Sequence, residues 1–287
     1  MMSQAKPRHK ILYVLPNLFT LSSIVLSFAA MTIVSSNPDA RDFYRAAMLI
    51  FFSTLFDGFD GKVARLTRTQ SEFGIQLDSL ADVISFGIAP ALLIYRWGLE
   101  PLGWLGLAGA VLYLCCGALR LARFNVIAAR AGGKKNPFFY GVPIPMAAGL
   151  LVSLVMVHYV TGLKAVHAHN HILILTVVLS YLMVSNIRYR TFKAYGNSLK
   201  ARLYMGSMFV LLISIGIRVT PAFMVLSFFS IFIATGLIEE LIRAIRPTRP
   251  EEEEALPTDL EMTALDGSDE EDDILPDDEP EKREQEV

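Results

Sequence analysis

The sequence predicts an all-α fold, a polytopic bundle of transmembrane helices, and three observations predict it. Of 287 residues, 53% are hydrophobic, and the mean hydropathy is +0.43, too apolar for an ordinary soluble chain. The apolar residues come in runs of about 20, the length that crosses a bilayer as a helix. Basic residues then alternate loop by loop, as membrane topology requires.

Eight spans follow from the runs, at about 12–35, 42–64, 78–96, 101–124, 143–161, 171–187, 203–218 and 221–242. The split between the last two rests on Arg218 and Pro221. The N-terminus carries Lys6, Arg8 and Lys10; alternate connections carry Lys62, Arg65 and Arg68, then Arg130, Lys134 and Lys135, then Arg188, Arg190, Lys193, Lys200 and Arg202. The C-terminal exit adds Arg243, Arg246 and Arg249, whereas the intervening connections hold Arg41, Arg96, Lys164 and Arg218. This bias places both termini in the cytoplasm of a multi-pass protein of the cell's inner (plasma) membrane. No cleavable leader is expected, because the basic start runs into a full-length span without a small-residue cleavage site.

The net charge of −2 conceals a segregation. Residues 251–287 hold 18 acidic and 2 basic residues, leaving 24 basic and 10 acidic in residues 1–250. Four regions follow: a basic cytoplasmic start (1–11), a transmembrane catalytic domain (12–242), a basic exit (243–250) and an acidic tail (251–287) whose composition predicts disorder. The tail is also a candidate electrostatic brake on the basic face. The body's positive charge is accounted for by topology, so no nucleic-acid partner is expected. Cys115 and Cys116 are adjacent within an apolar run and read as packing residues. His167, His169 and His171 alternate in a connection on the far side of the membrane, where a solvated loop is expected.

The chemistry concentrates between Asp57 and Asp82, in DGFDGKVARLTRTQSEFGIQLDSLAD. Asp57 and Asp60 are three apart and Asp78 and Asp82 four apart, so on two helices each pair shares a face. Asp57, Gly61 and Ala64 form a stripe of one acid and two small residues, with Arg65 following. A carboxylate pair, a smooth patch and a cation suit a metal-bound nucleotide diphosphate. Four converging carboxylates repel one another unless counter-charged. Oxygen-only ligands favour a hard divalent cation, Mg²⁺ or Mn²⁺ foremost, and two such ions form a clamp for displacement at phosphorus.

The pattern Asp57-x2-Asp60-Gly61-x2-Ala64-Arg65-x8-Gly74-x3-Asp78-x3-Asp82 resembles the signature of the CDP-alcohol phosphotransferases, with eight positions at fixed spacing. The resemblance implies that Asp57, Asp60, Asp78 and Asp82 hold the metal ions, that Asp57 and Asp60 bridge to the diphosphate, and that Asp82 is also the general base. It implies that Gly61, Ala64, Arg65 and Gly74 line the CDP pocket, with Asn17 and Thr20 of the first span beside them. A homodimer is implied too. The flanks LPNLFTLSSI, QLDSLADVISFGIAPALL, RLARFNV, YGVPIPMAAG and SNIRYRTFK resemble those of the membrane-embedded bacterial and archaeal phosphatidylserine synthases. CDP-diacylglycerol, drawn from the bilayer, and L-serine are then the expected substrates, and phosphatidylserine and CMP the products. Arg123, Asn125, Arg188, Arg190 and Lys193 are the expected serine-binding residues, since arginine suits carboxylate recognition; Arg120 is offered by the same helix ends for that carboxylate. Gly141, Pro143 and Pro145 read as shaping the start of the fifth span. Two alternatives stay open: a sister enzyme taking glycerol-3-phosphate or inositol phosphate, and a cation transporter with an acidic ion path.

Overall fold

The computed structural model describes residues 11–67, 71–130, 138–163, 166–190 and 220–245; within them, side chains are described except at 11–16, 61, 64, 65, 67, 130, 138, 139, 188–190 and 244. Contacts divide the chain into Met1–Ala244 and Ile245–Val287. The predicted seventh span, Lys193 and the acidic tail lie outside the described residues.

Helices dominate: α1 (Ile11–Ser35), α2 (Ala40–Thr67), α3 (Glu72–Asp82), α4 (Ala89–Ile94), α5 (Trp104–Arg130), α6 (Ile144–Val160), α7 (His169–Val184) and α8 (Pro221–Ile245). α3 and α4 belong to one helical run, Glu72–Leu102, whose hydrogen bonding changes along its length. Among the described residues, four helical stretches are long and apolar enough to cross a membrane: Asn17–Ser35, Glu72–Leu102, Trp104–Ala129 and Pro221–Arg243. α6 and α7 are apolar but shorter, and α2 carries Asp57, Asp60 and Lys62 within its 28 residues.

The all-α expectation needs one addition. Phe138–Tyr140 (β1) and Arg188–Arg190 (β2) form a short antiparallel ladder, with Phe139 opposite Tyr189. Gly141 follows β1 at φ 73°, and its N–H donates to Ile187 O at 2.9 Å. A side chain there would meet Met183 O at 2.2 Å, so both the left-handed backbone and the close approach require glycine. Pro143 then caps α6 and Pro145 occupies its first turn, where a missing N–H costs nothing.

α1 and α2 run antiparallel through buried hydroxyls. Ser27 Oγ donates to Ser53 Oγ at 3.0 Å, and Ser53 Oγ to Ser23 O at 3.1 Å. Two turns further, Thr20 Oγ1 donates to Asp60 Oδ2 at 2.7 Å. At the other end, Arg96 Nε donates to Val34 O at 3.1 Å, satisfying a terminal carbonyl of α1, and Arg96 also pairs with Glu100. The core lies where the third helical run meets α5, α6 and α7, around Phe86, Tyr113, Ile144, Leu151, Leu179 and Met183. Gly117 admits Ile144 there, Gly87 leaves room for Leu114, and Gly149 lets the Phe229 ring of α8 against α6.

Immediately after Asp82 the run becomes a π-helix, Val83–Ile88. Pro90 has no N–H to offer the Phe86 carbonyl one turn back, and the buried Tyr113 hydroxyl donates to that carbonyl at 3.0 Å. The histidine cluster departs from expectation in part: His167 stays exposed in the connection, whereas the next two enter a helix. His169 and His171 belong to the first turns of α7, and His169 Nδ1 lies 2.7 Å from Gly98 O. The ring thereby ties α7 to the third run instead of standing in solvent.

Candidate active site

The site is built from the C-terminal end of α2 and from α3. Thr67 ends α2, and Ser71 starts α3 by accepting a hydrogen bond from the Gly74 N–H at 3.0 Å. This cap satisfies one of the orphan donors of the helix start and fixes where α3 begins. α3 then brings Asp78 and Asp82 toward Asp57 and Asp60.

Carboxylate oxygens of Asp57, Asp60 and Asp78 lie within 4.8 Å of one another. Asp60 is only 5% exposed and is held by Thr20. The carboxylates of Asp57 and Asp82 approach within hydrogen-bonding reach of each other, and Asp78 and Asp60 lie within electrostatic range of both. Yet, among the described residues, Asp57 Oδ1 and Asp82 Oδ1 are sealed from solvent with no hydrogen-bond partner. Buried carboxylate oxygens without a donor are costly, and a cation would offset that cost. The donor set is all oxygen, so it fits a hard divalent ion, as predicted.

Asn17 and Gly74 come together across α1 and α3. A side chain on Gly74 would stand 3.5 Å from Asn17 Oδ1. Gly61, Ala64 and Arg65 lie on the α2 backbone, their side chains being outside the described residues.

The expected serine-binding residues divide. Arg123 spends its guanidinium on the chain itself: Nη1 donates to Val184 O at 2.9 Å and Asn186 Oδ1 at 3.1 Å, and Nη2 to Ser185 O at 2.9 Å and Tyr140 O at 3.4 Å. It clamps α5 to the end of α7 and to β1. Asn125 Nδ2 donates to Ser79 Oγ at 2.8 Å, linking α5 to α3 beside Asp78. Arg188 and Arg190 contribute backbone to β2, their side chains being outside the described residues.

Sequence reasoning offers Arg120 as one of several cations at the cytoplasmic helix ends for the serine carboxylate, without ranking it. The structure buries it, 7% exposed, within electrostatic range of Asp82. Its position inside an apolar run was the available signal, because a charge within a spanning segment is functional by default.

The family profile for CDP-alcohol phosphatidyltransferases matches residues 13–182, which include both aspartate pairs. The chain belongs to the CDP-alcohol phosphatidyltransferase family. Within it, the chain is 43% identical over 194 residues to the CDP-diacylglycerol–serine O-phosphatidyltransferase of Helicobacter pylori, covering 66% of this chain and 77% of that protein. It is 38% identical over 157 residues to the enzyme of that name from Bacillus subtilis, covering 54% of this chain and 80% of the other. The archaetidylserine synthase of Methanothermobacter thermautotrophicus is 39% identical over 155 residues, covering 53% and 61%. The phosphatidyltransferase match ends before α8, so the residues beyond 182 stand outside the shared profile.

Proposed function

We propose that this phosphatidyltransferase joins L-serine to CDP-diacylglycerol, giving phosphatidylserine and CMP. The observation that carries it is the convergence of Asp57, Asp60, Asp78 and Asp82, with two of their oxygens buried and without a hydrogen-bond partner among the described residues. Support for serine as the acceptor comes from relatives at 38–43% identity named for that acceptor.

Asp57, Asp60, Asp78 and Asp82 would hold Mg²⁺ or Mn²⁺, two ions by the family resemblance. Bound divalent cations supply charge neutralisation at the diphosphate and at the leaving phosphate. Asp57, Gly61, Ala64, Arg65, Gly74, Asn17 and Thr20 form the CDP subsite, Thr20 acting through Asp60. Asp82 takes the proton of the serine hydroxyl, whose oxygen attacks the phosphorus bearing diacylglycerol. The new oxygen–phosphorus bond forms as the bond to the bridging oxygen breaks, and that oxygen leaves with CMP. No covalent enzyme intermediate is required. Asn125, bonded to Ser79 next to Asp78, is placed to meet the acceptor; Arg123, Arg188, Arg190 and Lys193 are assigned to the surrounding cytoplasmic face.

The topology that serves this chemistry has eight spans in the cell's inner membrane, with both termini and the active site cytoplasmic. A lateral opening admits the lipid substrate, and the functional unit is a homodimer. The experiment presents purified protein with CDP-diacylglycerol, Mn²⁺ and one of three acceptors: L-serine, glycerol-3-phosphate or inositol phosphate. CMP release with serine alone is the expected result. Release with another acceptor alone selects a sister enzyme, and release with none refutes the transferase.

A further inference from the structure

Among the described residues, the buried cation Arg120 lacks a complete set of partners. It lies on α5, 7% exposed, and its Nε is sealed from solvent with no hydrogen-bond acceptor among those residues. The guanidinium sits over the Phe124 ring, 5.5 Å from its centre, and Asp82 lies within electrostatic range. Burying a guanidinium at a membrane helix end is expensive unless an anion meets it, and an unmatched N–H adds to the cost. Arg123, one turn away, is already used by three backbone carbonyls and Asn186. Structural clamping therefore falls to Arg123 and leaves Arg120 for something else.

Asp82 alone does not complete Arg120. Its carboxylate faces Asp57 and the other acids, and in the proposed reaction it must also receive a proton. The acceptor hydroxyl has to lie at Asp82, and in a 2-amino-3-hydroxy acid the carboxylate is separated from the hydroxyl oxygen by only two carbons. A cation beside Asp82 therefore stands where that carboxylate arrives. We propose that Arg120 binds the carboxylate of the acceptor and so sets the preference for an amino-acid alcohol; this rests on the reading that serine is the acceptor. The diphosphate is assigned to Asp57, Asp60 and Asp78, whose carboxylate oxygens lie within 4.8 Å of one another. Phe124 stiffens the guanidinium plane, which suits a planar, two-point contact.

The test compares L-serine with L-serinamide, which keeps the hydroxyl and ammonium but replaces the carboxylate by a neutral amide. Wild type, Arg120→Gln and Arg120→Lys are assayed as full-length protein in detergent–lipid micelles with CDP-diacylglycerol and Mn²⁺. For Arg120→Gln, kcat/KM for serine falls about 100-fold, as expected for a lost charge-assisted pair, while the value for serinamide stays within about twofold. Arg120→Lys retains part of the serine preference, and KM for CDP-diacylglycerol is unchanged in both variants. Equal losses with serine and serinamide, or a raised KM for CDP-diacylglycerol, would overturn the assignment. Wild type inactive with serine refutes the proposed function; active wild type with an unselective effect of Arg120→Gln refutes this inference alone.

Discussion

Thr20 reads from the sequence as a nucleotide-pocket residue, and the fold gives its hydroxyl a specific partner, Asp60 Oδ2, to which it donates at 2.7 Å in a buried setting. A bond of this kind aims a ligand oxygen, and losing such outer partners costs about 10–100-fold in metal affinity. Thr20→Val should therefore raise the Mn²⁺ concentration for half-maximal activity about tenfold, and Thr20→Ser should restore it. A metal titration that is the same for all three proteins would show that Asp60 is held by other means. Asp82 differs in kind, since its Oδ1 is buried without a donor among the described residues. Asp82→Asn keeps the shape and removes the base, so turnover should fall about 10²–10⁴-fold with the protein still in the membrane fraction.

At the scale of elements, the helix after Asp82 is shaped by one proline and one tyrosine. Pro90 leaves the Phe86 carbonyl without its helical donor, and the fully buried Tyr113 provides one. Tyr113→Phe deletes only that donor, and an unsatisfied buried carbonyl costs about 1–3 kcal/mol. The expected outcome is a lower thermal midpoint in detergent; an unchanged midpoint would mean that Phe86 O is satisfied within its own helix. Gly141 governs the link between β1 and α6. Its φ of 73° and the Met183 carbonyl beside it leave no room for a side chain. Gly141→Ala should destabilise the protein by at least about 1 kcal/mol, read from the same melting curves.

For the whole molecule, the helices and the aspartate site were legible because their signals are periodic or fixed in spacing. Runs of about 20 apolar residues located the helices, and four aspartates at i,i+3 and i,i+4 located the site. The clamping role of Arg123 was illegible because sequence shows a charge and not its partners, which lie 17 to 63 residues away. The ladder joining Phe138–Tyr140 to Arg188–Arg190 was illegible for a related reason: three-residue strands far apart in sequence carry no periodicity of their own. Charge segregation remains a property of the entire chain. If the acidic tail brakes the basic face, removing residues 251–287 should raise activity at low salt and leave it unchanged at high salt. Equal activity at both salt concentrations would remove that role. The central claim, that Asp57, Asp60, Asp78 and Asp82 carry out a metal-assisted phosphatidyl transfer to serine, is tested most directly with labelled serine. Metal-stripped wild type and Asp82→Asn would each be given CDP-diacylglycerol and titrated with Mn²⁺, with CMP and labelled lipid counted together. One CMP per labelled lipid, appearing only in wild type and only with metal, is the predicted result; metal-independent turnover, or wild-type turnover by Asp82→Asn, would contradict it.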